Sequence, residues 1–215
     1  MHLDPMMNSI FVTGTDTNVG KTVLSALLVA ALDGVYWKPV QTGACEGTDR
    51  RAVMQWAEID EDRTVAECYC FDPPVSPHLA AAQAGTQINL TRIPRPLFRR
   101  GKPVIIEGAG GILVPLNDSE LMVDLAAKFA APVIVAARSG LGTINHTTLT
   151  VRALRGAGLP ILGVVMIGDR NRENEISVEQ YAQVPIVGRI PRLPTINRSA
   201  LLRVFDNDFD HEFFQ

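Results

Sequence analysis

One stretch of this 215-residue chain carries the residue types of a phosphate-binding site. Phe11-Val12-Thr13-Gly14-Thr15-Asp16-Thr17-Asn18-Val19-Gly20-Lys21-Thr22 passes from an apolar run into a turn of small polar residues. It ends in Gly-Lys-Thr at the head of the apolar stretch Val23 to Leu32. That order reads as strand, loop and helix. The backbone N–H groups of such a loop point inward at one anion, and the helix N-terminus adds partial positive charge. Lys21 is spaced to reach the β- and γ-phosphates, and the Thr22 hydroxyl to ligate Mg²⁺. The usual pattern is glycine, four residues, then Gly-Lys-Ser/Thr; here Gly14 stands one residue early and Thr15 fills its slot. A plain glycine-rich turn is the alternative, but the position between strand and helix favours a nucleotide phosphate site.

Further residues could complete such a site. Glu107 ends the apolar run Pro103-Val104-Ile105-Ile106, where a phosphate-loop protein carries its Walker-B acid. A carboxylate there is costly unless a cation or hydrogen-bond donors meet it; a helix-capping or surface glutamate is the other reading. Asp49 is a second candidate metal ligand, or the N-cap of the helix that follows it. Lys38 precedes a proline at the end of a second strand, beside the first loop. Two lysines on one phosphate, Lys21 and Lys38, would neutralise charge on a transferred phosphoryl group; a solvated surface lysine is the alternative. Thr42, just beyond, could hydrogen-bond a substrate or simply close a turn. Gly140-Leu141-Gly142-Thr143-Ile144-Asn145-His146-Thr147 is a second glycine turn opening a helix, able to hold a carboxylate or to serve only as a connection.

These residues need elements to hold them. Strands are expected at Ile10 to Thr13, Val35 to Val40, Val104 to Glu107, Val133 to Ala137, Ile161 to Met166 and Ile186 to Val187. Helices are expected at Thr22 to Leu32, Asp49 to Ala57, Leu79 to Ala84, Met122 to Phe129, Ile144 to Arg155 and Ser177 to Ala182, and over Asn89 to Arg99 with proline breaks. Strands apolar along their whole length and separated by helices indicate a parallel sheet covered on both faces. The fold class is therefore α/β: an open, mainly parallel sheet of the P-loop NTPase kind, in one domain over residues 1–215. Residues 1–8 and 206–215 are expected to be loosely held. Ligands of such sheets bind at the carboxyl ends of the strands, where the polar and glycine-rich residues fall.

Composition limits the partners. The chain is 47% hydrophobic and 20% charged, with a formal net charge of −3. No block of like charge favours nucleic acid, and no apolar run approaches a membrane span. Met1 to Asn8 lacks the regions of a signal peptide, so a cytoplasmic protein is expected. Cys45, Cys68 and Cys70 fit a reducing compartment and are read as structural or incidental. The scattered His2, His78, His146 and His211 suggest neither a zinc site nor a catalytic triad.

The full series is more specific than any one motif. Thr-Gly-Thr-Asp-Thr-Asn-Val-Gly-Lys-Thr (13–22), Lys-Pro-Val-Gln-Thr-Gly (38–43), Ser-Pro-His (76–78), Glu-Gly-Ala-Gly-Gly (107–111) and Gly-Thr-Ile-Asn-His-Thr (142–147) occur in this order. Together they resemble the dethiobiotin synthetase family from about residue 10 to 195. The resemblance implies a homodimer that closes a cyclic urea on 7,8-diaminononanoate with CO₂, ATP and Mg²⁺. It implies that Thr17, Lys21, Lys38 and Thr42 surround the carbamate and γ-phosphate, and that Thr22, Asp49 and Glu107 meet the metal. Asn18, Val19, Gly20, Lys21, Thr22 and Val23, with Glu107, Gly108, Ala109 and Gly110, would line the triphosphate. Gly111 would lie at the substrate. Gly142, Thr143, Ile144 and Asn145 of a second copy would hold the substrate carboxylate.

The chain departs from the family at one point. Many members carry Asn-Asp after the strand matching Ile161 to Ile167, where this chain has Gly168-Asp169. Glycine has no amide to read adenine, so base contacts are expected to shift toward Pro191, Arg192 and Leu193, and other nucleoside triphosphates become possible. Two other readings share the first motif. Cobyrinate-type amide synthetases carry a glutaminase domain that this length does not accommodate. Partitioning-type ATPases usually have a second lysine early in the loop, where Gly14-Thr15-Asp16 stand here.

Overall fold

The computed structural model describes residues 9–95 and 102–214. In chain order it has β1 (Ser9–Gly14), α1 (Lys21–Ala31), β2 (Val35–Trp37), β3 (Val40–Gln41), α2 (Asp49–Ala57), β4 (Thr64–Val65), β5 (Tyr69–Cys70) and α3 (Pro77–Gln83). It continues with β6 (Val104–Gly111), α4 (Met122–Phe129), β7 (Val133–Arg138), α5 (Thr143–Gly156), β8 (Ile161–Ile167), α6 (Arg172–Ala182), β9 (Ile186–Ile190) and α7 (Arg198–Asp208). Seven strands form one sheet in the order β4-β2-β6-β1-β7-β8-β9, and every ladder in it is parallel.

Successive side chains of a strand leave opposite faces of the sheet. Val104 and Ile106 enter one apolar cluster, with Phe11, Val133 and Val135. Ile105 enters the other, with Ile10, Val12, Ile134 and Ala136. The first cluster packs under α4, α5 and α6; the second packs under α1, α2 and α7. This two-sided burial is why the strands read as unbroken apolar runs.

Four expectations change. The second strand is not continuous over Val35 to Val40: it breaks at Lys38, and Val40–Gln41 pairs instead with Tyr69–Cys70 in a separate two-stranded sheet. Pro39 has no N–H to donate to a ladder, and its carbonyl accepts from Cys68 and Tyr69 N–H. The strand expected to stop at Glu107 runs on to Gly111, with a register shift that pairs Val12 with Glu107 and then Gly14 with Gly111. The helix expected from Ser177 begins at Arg172, because the Asn171 side chain caps it by accepting from Asn174 N–H. The segment from Asp206 is packed: α7 extends into it, Phe205 stacks on His211, and Phe209 and Phe214 pack against Phe205 and each other. Within Asn89 to Arg99 a 3₁₀ turn spans Leu90–Arg92; residues 96–99 lie outside the described residues, as does the expected loose segment 1–8.

Candidate functional site

The loop after β1 is held in shape by its backbone. Asn18 and Gly20 take left-handed conformations, with φ of 57° and 104°. Gly20 is also the N-cap of α1. A Cβ there would come within 2.9 Å of the Ile167 side chain, so only glycine fits at this turn. Val19 is buried and packs toward Gly14, whose own Cβ would lie 2.7 Å from it. The early glycine is thus explained: Gly14 makes room for Val19 beneath the loop. Thr15 N–H donates to the Ala136 carbonyl at 3.0 Å, which ties the loop to β7.

Beside the loop lies a cleft of about 750 Å³. Thr17, Asn18, Gly20, Lys21, Thr22 and Val23 line it from the loop and the start of α1. Lys38 enters from the break after β2, Thr42 from the end of β3, Asp49 from α2, and Glu107, Ala109 and Gly110 from β6. The break that removes Lys38 from the sheet therefore turns it into the site.

At the centre of the cleft three oxygen-bearing side chains converge. The Thr22 hydroxyl lies 3.0 Å from Asp49 Oδ1 and 3.1 Å from Glu107 Oε1. Lys38 Nζ bridges the same two carboxylates, 3.1 Å from Glu107 Oε1 and in close contact with Asp49 Oδ2. Tyr36 OH donates to Glu107 Oε2 at 3.1 Å. Glu107 is 1% exposed, and Lys38 and Tyr36 both donate to it, the pairing that a buried carboxylate requires. Lys21 is buried too, and its Nζ donates to the Asp16 carbonyl at 3.1 Å.

Charge and burial act in opposite directions here. Burial pushes the Lys21 ammonium below the ordinary lysine range; Glu107 pulls it back up and Lys38 presses it down. Burial also works against the Lys38 ammonium, but Glu107 and Asp49 outweigh it and hold Lys38 above the usual value. Burial raises Asp49, yet the charge and hydrogen bond of Lys38 hold its carboxyl below the usual value. Tyr36 is raised well above its ordinary value by burial and by the neighbouring Glu107.

Asp49 is the first residue of α2, not its cap. Thr48 caps the helix by accepting from Arg51 N–H, and the Asp49 N–H donates to the Gln41 side chain. That leaves the Asp49 carboxylate directed at Thr22 and Lys38. Tyr36 and Gln41 went unmarked as site residues in the sequence. Their signals were the even spacing of Tyr36 and Lys38 along one strand face, and the place of Gln41 in the Lys-Pro-Val-Gln-Thr-Gly run.

Not every marked residue reaches this cleft. Gly108 faces the core: a Cβ on it would meet the Phe11 ring at 3.2 Å and the Met122 sulfur at 3.3 Å. Gly111 lines a neighbouring groove of about 410 Å³ with Thr15, Asp16, Thr17, Leu113, His146 and Leu149. Gly168, Asp169 and Arg192 border a separate opening beyond the loop, and Pro191 a smaller one adjoining it; Leu193 borders neither. Gly142 to Asn145 begin α5, capped by Gly142 at φ 90°, and do not border the cleft of their own chain.

A parallel sheet with a glycine-capped loop, a buried lysine and a helix N-terminus at its carboxyl edge defines a P-loop NTPase. Solved structures agree on the fold. The chain resembles a ParA family ATPase from Chlorobium tepidum TLS with a TM-score of 0.54 at 11% identity, over 95% of this chain and 94% of that one. A family model described as an AAA domain matches residues 8–200. Curated proteins named ATP-dependent dethiobiotin synthetase BioD align along nearly the whole length. That of Rhodopseudomonas palustris (strain HaA2) is 44% identical over 97% of each chain. That of Novosphingobium aromaticivorans is 43% identical over 97% of this chain and all of its own, and that of Agrobacterium fabrum 45% identical over 93% of each. The chain belongs to the dethiobiotin synthetase family.

Proposed function

We propose that this protein is an ATP-dependent dethiobiotin synthetase, a ligase that closes the cyclic urea of dethiobiotin on 7,8-diaminononanoate with CO₂. The observation that carries this reading is the joint presence of Lys21, Lys38, Thr22, Asp49 and Glu107 in one cleft beside a phosphate loop. The substrate brings both nucleophiles. One amine takes up CO₂ as a carbamate, the carbamate oxygen takes the γ-phosphoryl group, and the second amine displaces phosphate. No protein nucleophile is required. The work left to the protein is positioning and charge neutralisation.

The residues fit Mg²⁺ by donor chemistry. Thr22, Asp49 and Glu107 present hard oxygen atoms around one point, the ligand type this ion prefers, and phosphate oxygens and water complete its shell. Among the described residues no group of three His, Cys, Asp or Glu side chains could hold a metal unaided, which suits an ion delivered with a nucleotide. When bound, the ion would screen charge between the β- and γ-phosphates. Lys21 would bind the γ-phosphate, and Lys38 would stabilise the oxygens between carbamate and phosphorus. Thr17 and Thr42, which also line the cleft, would hold the carbamate.

A second copy completes the substrate site in this reading. Leu113 and Leu149, both 56% exposed, face the groove beside the loop, and Leu141, fully exposed, precedes α5. An apolar patch of this kind beside a site is suited to a partner surface. The partner's α5 N-terminus would supply backbone N–H groups to the substrate carboxylate.

The direct test is to incubate purified protein with 7,8-diaminononanoate, bicarbonate, Mg²⁺ and ATP, and to follow dethiobiotin by mass together with ADP and phosphate. One dethiobiotin formed per ATP cleaved is the expected result. ATP cleavage without dethiobiotin would overturn the reading.

A further inference from the structure

Beyond the phosphate loop, Ser139 lines two adjoining openings with Gly168, Asp169 and Arg170. The contact of Gly20 with Ile167 fixes what these openings can receive. A nucleotide with its phosphates on residues 20–22 meets the carboxyl ends of β7, β8 and β9 next, and these are the surface left for its ribose and base. Gly168 sits there at φ 119° with no side chain, and a Cβ on it would fall 2.8 Å from Ser139 Oγ. The serine hydroxyl thus occupies the ground that a side chain at 168 would take.

Ser139 is 7% exposed and its backbone is fixed on both sides. Its N–H donates to the Ile167 carbonyl at 3.0 Å, and its carbonyl accepts from Asn174 Nδ2 at 2.8 Å. The charged neighbours are already engaged. Both Glu175 oxygens accept from Arg189 at 2.7 Å, and Asp169 accepts from Arg192 at 3.1 Å. Among the described residues the Ser139 hydroxyl has no hydrogen-bond partner, and it opens onto these two cavities instead of being sealed in the core.

We propose that the Ser139 hydroxyl hydrogen-bonds the edge of the nucleobase and is a base-binding residue of this chain. This rests on the nucleotide reading of the neighbouring loop. A hydroxyl both donates and accepts, so it pairs with a ring nitrogen, an exocyclic amine or a carbonyl alike. It therefore holds a base without selecting one strongly, and a cytosine nucleotide should bind within about tenfold of its adenine counterpart, since one hydrogen bond is at stake.

The test compares wild type with Ser139→Ala by calorimetry in Mg²⁺, using the β,γ-methylene analogues of ATP and CTP and, for the loop alone, inorganic tripolyphosphate. Loss of one hydrogen bond should weaken both nucleotide analogues about threefold to tenfold and leave tripolyphosphate unchanged. An equal change in all three ligands, or no change in any, would overturn the assignment. Wild-type protein that binds none of the three would instead overturn the nucleotide reading on which it rests.

Discussion

Lys38 shows how much depends on one side chain at this site. It is the only lysine among the described residues that bridges Asp49 and Glu107, and it stands at the centre of a cleft that also holds Lys21. Lys38→Ala should lower kcat by about 10² to 10³, the usual loss when one group that stabilises transition-state charge is removed. Circular dichroism should show the fold retained. Turnover of the purified variant at the wild-type rate would remove Lys38 from the chemistry. The same pairing makes stability depend on pH in a fixed sense. Asp49 is held below its ordinary value of 3.8, so its contribution is present above that pH and lost as pH falls through the lower folded value. Lys38 is held above its ordinary value of 10.5, so its contribution is complete below that pH and lost as pH rises through the higher folded value. In Lys38→Met both dependences should flatten in urea melts across pH; an unchanged profile would show that the pair does not set them.

At the scale of elements, the sequence disclosed what local patterning controls. Asp49–Ala57 and Met122–Phe129 were bounded correctly because a capping residue or a turn signal stood beside an amphipathic run. The break at Lys38 was hidden, because Val35 to Val40 reads as one strand that ends in Lys38-Pro39-Val40, and only the strand that Val40 pairs with decides the split. Helix α7 was missed although its signal is present: the Asn197 side chain accepts from Ala200 N–H at 2.9 Å, and Ala200, Leu201, Val204 and Phe205 form its buried stripe. The acidic residues Asp206, Asp208 and Asp210 masked that stripe. Asn197→Ala should destabilise the protein by about 1 kcal/mol, the usual worth of an N-cap. A shift in the urea midpoint at constant slope would measure it, and no shift would show that packing alone sets this helix. The site was legible in the same uneven way. Lys21, Thr22 and Glu107 declare themselves by position after a strand. Tyr36 does not, because its role as a donor to Glu107 depends on two strands lying side by side.

At the scale of the whole molecule, the shared site makes a prediction about mixtures. If α5 of one copy serves the cleft of another, Lys38→Ala and a variant with Asn145→Asp should each be inactive alone yet partly active when co-refolded. Random pairing gives half mixed dimers, each with one intact site, so recovery should reach about one quarter of wild-type activity. Failure to recover any activity, with dimers confirmed by light scattering, would place each site within a single chain.

The last turns of the chain also bear on how these molecules keep apart. Phe209 forms an antiparallel bridge to Gly188, and Asp210 N–H donates to the Val187 carbonyl at 3.0 Å. They therefore occupy the outer side of β9, the last strand of the sheet, while the opposite end is β4, a strand of only two residues. An unpaired, apolar terminal strand is a template for another chain. The C-terminal segment blunts one such template, and shortness blunts the other. A chain ending at Asp208 should keep its nucleotide cleft but associate through β9 on warming, seen as rising light scatter well before the native protein's, and equal scatter would show that this edge needs no cover.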